Sequence, residues 1–170
     1  MPRLLLLRHA KAERARAGET DHERTLAKRG QKDSEAVAKV IAERGEQPDL
    51  VLCSTSVRTR QTLEPIRPAL AGAPEERFLR ALFEAGRDYL PLLRQEGGTA
   101  LSLLLVGHNP ATHETAVRLA ADLDTPAGKE LSARFPTAAL AIFDFNGDWA
   151  DIRPASMRLA AFVTPHGGED

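Results

Sequence analysis

Three apolar runs punctuate the chain: Leu4 to Leu7, Leu50 to Cys53 and Leu101 to Val106. Each is short and continuous rather than alternating, the pattern of a strand buried on both faces of a sheet. A fourth candidate strand runs from Ala138 to Phe145. Asn146-Gly147 follows it as a hairpin signal, with Asp148 to Arg153 expected to return as an antiparallel strand. Arg77 to Leu79 predicts one more short strand.

Helical patterns lie between the runs. Ala36, Val37, Val40 and Ile41 recur at helical spacing up to about Glu43, and Gly45 stops the pattern. Ser54-Thr55-Ser56 offers an N-cap to a helix from about Val57 to Leu70, which Pro65 and Pro68 should kink or end early. Gly86 to Gln95 is helical in pattern, with Pro91 in its first turn. A last helix spans about Ala111 to Leu123. Lys11 to Lys28 and Asp124 to Pro136 read as loops, the first long enough to suggest a function. Strands alternating with helices define an α/β class: a three-layer sandwich with a mostly parallel central sheet flanked by helices and an antiparallel edge. A length of 170 residues suits one domain. It is expected over residues 1–163, followed by a flexible tail over 164–170.

Composition narrows the partners. A formal net charge of −1 provides no global basic field for nucleic acid or an anionic membrane surface. One cysteine, Cys53, excludes an internal disulfide and reads as a small buried residue. No stretch is long enough to span a bilayer, and the N-terminal leucines are too few for a signal peptide, so a cytoplasmic setting is expected. The five histidines are His9, His22, His108, His113 and His166. They form no ligand cluster with carboxylates or cysteines that would require a metal, and no other cofactor is called for. These patterns define no oligomeric state.

The chemistry gathers where the apolar runs stop. The first ends in Arg8-His9. The second leads to Ser54 and, four residues on, Arg58 in the first turn of the next helix. The third ends in His108-Asn109. Parallel strands bring their carboxyl ends to one edge, where ligands of open α/β sheets collect. Converging arginines and histidines repel one another, and a bound phosphate relieves that cost. Arginine forks grip tetrahedral anions, helix N-termini after Ser54 and His108 add backbone donors, and a neutral imidazole can attack phosphorus. Each piece alone has a blander reading. Arg8-His9 could be a solvated pair, Arg58 and Arg60 an exposed helix face, Gly107 to Pro110 a tight turn, and Glu84 a surface acid.

Taken together, these segments resemble the histidine phosphatase superfamily, which includes cofactor-dependent phosphoglycerate mutases and many acid phosphatases. The family's R-H-G appears as Arg8-His9-Ala10, its S-x-x-x-R-x-x-Q-T pattern as Ser54 to Thr62, and its late histidine motif as Val106-Gly107-His108-Asn109-Pro110. Asp21 to Gly30, Leu82-Phe83-Glu84-Ala85 and the short length are similar to the SixA-type phosphohistidine phosphatases. The resemblance implies a phosphoglycerate mutase-like fold and a metal-independent phosphatase. It implies His9 as the phosphorylated nucleophile, with Arg8, Arg58 and His108 holding the phosphoryl oxygens and Ser54 and Asn109 beside them. It places a proton donor near Glu84. A phosphorylated protein, carrying phosphohistidine, is the implied substrate. A small-molecule phosphomonoesterase or mutase on the same scaffold, and a non-catalytic phosphate-binding module, are the alternatives.

Overall fold

The computed structural model describes residues 1–165. Its centre is a six-stranded sheet of β1 (Arg3–Arg8), β2 (Leu50–Ser54), β3 (Glu75–Leu79), β4 (Ser102–Gly107), β5 (Leu140–Asp144) and β6 (Arg158–Val163). The spatial order is β3-β2-β4-β1-β5-β6. The first four of these run parallel; β5 is antiparallel to β1, and β6 to β5. The chain is therefore α/β, mostly parallel with an antiparallel edge, and the phosphoglycerate mutase-like architecture expected from the sequence holds.

The leucine run explains itself once both sheet faces are covered. Leu4 and Leu6 point into one core, with Tyr89, Leu93, Leu119, Leu131 and Trp149; Leu5 and Leu7 point into the other, with Val37, Ile41, Leu63 and Ile66. Side chains alternate across a strand, so a strand between two helical layers needs apolar residues at every position. One layer is α1 (Lys28–Glu43) and α2 (Val57–Leu63); α3 (Arg80–Glu84), α4 (Leu90–Glu96), α5 (Ala111–Leu119) and α6 (Pro126–Ala133) follow in the chain. Cys53 is buried, as expected, and burial pushes its thiol up to about 12.

Several boundaries depart from the sequence reading. The second helix ends at Leu63, before Pro65, rather than running to Leu70. The fourth begins at Leu90, with Pro91 in its first turn, and the fifth stops at Leu119. Asp124 to Pro136 is not simply a loop, because it contains α6. Pro126 occupies the first turn, Thr125 Oγ1 accepts from the Gly128 amide at 3.0 Å, and Gly128 lies where a Cβ would come within 2.5 Å of Leu123. The turn at Gly147 is present (φ +103°), yet Asp148 to Arg153 is not the returning strand. It forms a 3-10 turn at Trp149–Asp151, because Trp149 is buried against Gly97 and donates to the Ala100 carbonyl at 2.8 Å. The antiparallel edge comes later, as β6. The tail expected over 164–170 lies outside the described residues from 166 on. Among those described, no helix is long and apolar enough to cross a membrane.

Candidate active site

The carboxyl ends of β1, β4 and β2 are neighbours, so three distant motifs meet at one sheet edge. Arg8 of β1 is in register with Gly107 of β4, and the His9 amide donates to the Gly107 carbonyl at 3.0 Å. His9 and His108 are thereby adjacent, with ring centroids 5.3 Å apart. Arg58 reaches them from the first turn of α2, whose N-cap Ser56 accepts from the Thr59 amide. Its Nη2 stands 3.4 Å from His108 Nδ1. These groups line a pocket of about 360 Å³ with Arg8, Lys11, Ala12, Asp21, Arg24, Phe83, Asn109 and Thr137.

The His9 ring is held through Nδ1, 2.7 Å from the Ala10 carbonyl. A carbonyl only accepts, so Nδ1 carries the proton and Nε2 keeps a lone pair. Burial pulls the His9 pKa well below its ordinary value; the Ala10 carbonyl opposes this, while His108, Arg8 and Arg58 depress it further. His108 is lowered to about 3, first by burial and then by Arg58. Both imidazoles are thus neutral near pH 7. His108 is fixed at its other nitrogen by Ser54 Oγ, 2.8 Å from Nε2, and its amide donates to Tyr89 Oη at 2.9 Å.

The rest of the S-x-x-x-R-x-x-Q-T stretch is support. Gln61 Oε1 accepts from the Leu26 amide at 2.7 Å, anchoring the long polar loop, and Thr62 Oγ1 accepts from the Ala10 amide at 3.0 Å. That loop is zipped at its base by an Ala12–Leu26 bridge, and it carries a short 3-10 turn, Asp21–Glu23, over the pocket. Asp21 receives both Arg58 Nη groups, through its carbonyl at 2.6 Å and its carboxylate at 3.1 Å. On the opposite wall the segment Phe135 to Ala139 is strapped to the nucleophile. The Ala138 amide donates to the Arg8 and His9 carbonyls, and the Phe135 carbonyl accepts from Arg8 Nη1 and Asn109 Nδ2. Ala138 sits at φ +60°, a left-handed conformation costing about 1–2 kcal/mol for an L-residue.

Of the residues singled out from sequence, Arg8, His9, Arg58, His108 and Asn109 come together in the pocket. Ser54 does not line it; fully buried, it acts through His108. Glu84 is not brought in. Its side chain is 61 % exposed and lies 3.4 Å from Arg80 at the end of α3, because the helix turns Phe83 inward instead. Phe83 meets His22 and His108 edge-on, at 4.8 and 5.5 Å. The sequence reading missed Asp21, Arg24, Phe83 and Thr137 as pocket residues. Asp21 and Arg24 lay within the SixA-like stretch, and Phe83 was one position from Glu84; nothing marked Thr137. Among the described residues, no group of three or more histidine, cysteine or acidic side chains is placed to hold a metal ion.

Comparison with known proteins places the fold in a family. The model of the histidine phosphatase superfamily (branch 1) matches residues 4–83. An uncharacterised protein of Mycobacterium tuberculosis (strain H37Rv) is 33 % identical, over 94 % of this chain and 99 % of its own. Among solved structures, SixA from Agrobacterium tumefaciens is 33 % identical with a TM-score of 0.80, covering 96 % of this chain and 97 % of that one. SixA from Nakamurella multipartitia is 31 % identical with a TM-score of 0.80, covering 97 % and 96 %. The chain belongs to the histidine phosphatase superfamily.

Proposed function

We propose that this chain is a metal-independent phosphatase that works through a phosphohistidine intermediate on His9 and takes protein phosphohistidine as its substrate. The observation that carries the reading is the His9–Ala10 contact. It fixes the tautomer, so that a neutral Nε2 with a lone pair stands among Arg8, Arg58 and His108. Phosphoryl transfer needs an aligned nucleophile and donors on the equatorial oxygens more than covalent ingenuity. Arg8 and Arg58 supply charged forks. Arg58 Nη2 only donates, so His108 Nδ1 accepts from it and Nε2–H faces Ser54. When an oxyanion draws the Arg58 fork away, the Ser54 hydroxyl can donate instead, and the other tautomer offers the phosphoryl group an Nδ1–H. Asn109 lies beside them as a further polar contact, and Ser54 serves as a positioning residue. The similarity to the Agrobacterium SixA protein, whose name places it with the phosphohistidine phosphatases, favours phosphohistidine over a small ester.

The test is phosphate release from a phosphohistidine peptide beside a panel of sugar and glycerate phosphates, with and without chelator. The peptide is expected to show the highest kcat/KM, unchanged by chelation. His9→Ala is expected to release no phosphate and to take no phosphoryl label. Chelator-sensitive turnover would overturn the mechanism, and preference for a sugar or glycerate phosphate would overturn the substrate.

A further inference from the structure

Asp21 supplies the one carboxylate among the described residues lining the pocket, beside Arg8, Lys11, Arg24 and Arg58. Its side chain is 60 % exposed, whereas that of its partner Arg58 is 7 % exposed and His9 is buried. The acid therefore stands at the mouth and the nucleophile at the floor. Each carboxylate oxygen accepts one arginine: Oδ1 from Arg24 at 3.0 Å and Oδ2 from Arg58 at 3.1 Å. A carboxylate offers about four acceptor sites, so both oxygens retain capacity for a further donor. Phe83 lines the same pocket, its ring centroid 5.9 Å from the guanidinium carbon of Arg58, the arginine that donates to Asp21.

In-line attack puts the leaving group on the side of phosphorus away from His9, which is the side of the mouth. A carboxylate at that position repels a plain phosphate dianion and attracts a leaving group that carries positive charge. We propose that Asp21 and Phe83 form a leaving-group subsite for the protonated imidazole ring of a phosphohistidine side chain. This inference rests on His9 attacking phosphorus as described above.

The bookkeeping of the step supports it. The substrate ring carries the phosphoryl group on one nitrogen and a proton on the other. Nε2 of His9 forms a bond to phosphorus as the substrate P–N bond breaks, and that bonding pair stays on the departing nitrogen. The substrate ring leaves neutral with its distal N–H still donated to Asp21, and the phosphorylated His9 ring takes over the positive charge. No proton moves, so no general acid is required, in keeping with Glu84 pointing away from the pocket. Water then attacks phosphorus, the P–Nε2 pair returns to His9, and dihydrogen phosphate departs with both water protons. An alkyl ester differs, because its alkoxide needs a proton from an acid. Arg24 first, and Arg58 with it, hold the Asp21 pKa below the usual carboxylate value, so Asp21 has none to give at neutral pH.

The test compares Asp21→Asn with the wild type on a phosphohistidine peptide and on p-nitrophenyl phosphate, whose leaving group departs without a proton. The ratio of kcat/KM, peptide over aryl ester, is expected to fall tenfold or more in the variant. Asp21 also stabilises the protonated ring in the bound complex. The alkaline limb of kcat on the peptide is therefore expected to move to lower pH by at least half a unit in Asp21→Asn. Equal losses on both substrates with an unmoved pH limb would reduce Asp21 to a brace for Arg58 and overturn the subsite. If the wild type does not turn over the peptide at all, the phosphohistidine reading itself falls, and the two failures remain distinct.

Discussion

At the scale of single residues, the site is made of cations and imidazoles whose charges are set by burial. The two imidazoles are neutral because desolvation outweighs what opposes it, the Ala10 carbonyl at His9 and the Asp21 charge at His108. kcat/KM on an aryl phosphate reports the free enzyme, so its acidic limb should lie well below the ordinary histidine value of 6.5, as a pH–rate profile would show. Folding stability follows the same sign. The unfolded chain binds protons at His9 and His108 below about 6.5 and the folded chain does not, so stability is full above that pH. It is then lost progressively as pH falls toward the folded His108 value of about 3, which denaturant melts across that window would register. Removing a donor from the phosphoryl oxygens should cost more than removing a support. Arg58→Ala is expected to lower kcat by roughly a hundred- to a thousandfold, as loss of a preorganised oxyanion donor does. Ser54→Ala leaves His108 Nε2 without its 2.8 Å partner; losing a buried hydrogen bond costs about 1–3 kcal/mol, most visible as lower kcat.

At the scale of elements, Gly107 shows how closely the last residue of β4 is held. A Cβ there would come within 2.7 Å of the Tyr89 ring, whose hydroxyl accepts from the His108 amide and donates to the Leu82 carbonyl. Gly107→Ala should therefore destabilise by about 1–3 kcal/mol through overpacking and also lower activity, by tilting His108. Tyr89→Phe keeps the shape and removes the hydroxyl; thermal melts and kcat on the pair separate crowding from the lost bond. The three inner parallel strands were legible in sequence because a strand covered on both faces leaves almost no polar position, as in Leu4 to Leu7; β3, at the edge, opens with Glu75 and Glu76 and was legible only from Arg77 on. The floor of the site was legible too, because Arg8, His9, Arg58 and His108 sit at strand ends or just beyond. The helix α6 was not, since Pro126 and Gly128 carry the composition of a loop. Their roles, a first-turn proline and a close approach to Leu123, depend on partners that sequence does not display. The return after Gly147 failed for a similar reason: burial of Trp149 against Gly97 outcompeted strand pairing. Asp21 and Phe83 were hidden in the same way. Whether a loop acid or a short-helix aromatic faces the pocket is decided by how the loop is pinned at Gln61 and how α3 turns, both long-range facts.

At the scale of the whole molecule, the crowding of arginines and imidazoles is an energetic debt that an oxyanion relieves. Vanadate or tungstate at a hundred times its dissociation constant should stabilise the fold by about 2.7 kcal/mol. For a chain of this size that raises Tm by roughly 5–10 °C, readable by differential scanning fluorimetry. The same rise should be absent from Arg58→Ala.

The strap from Phe135 to Ala139 has a kinetic consequence. Main-chain bonds join Arg8 and His9 to β4 on one side and to the antiparallel half on the other, so the catalytic peptide lies at the seam where the two halves of the sheet are sewn together. No fraying of a terminus or surface loop can loosen it. Deuterium uptake at the Arg8 and His9 amides should be as slow as anywhere in the protein, and heat inactivation should coincide with loss of the whole sheet.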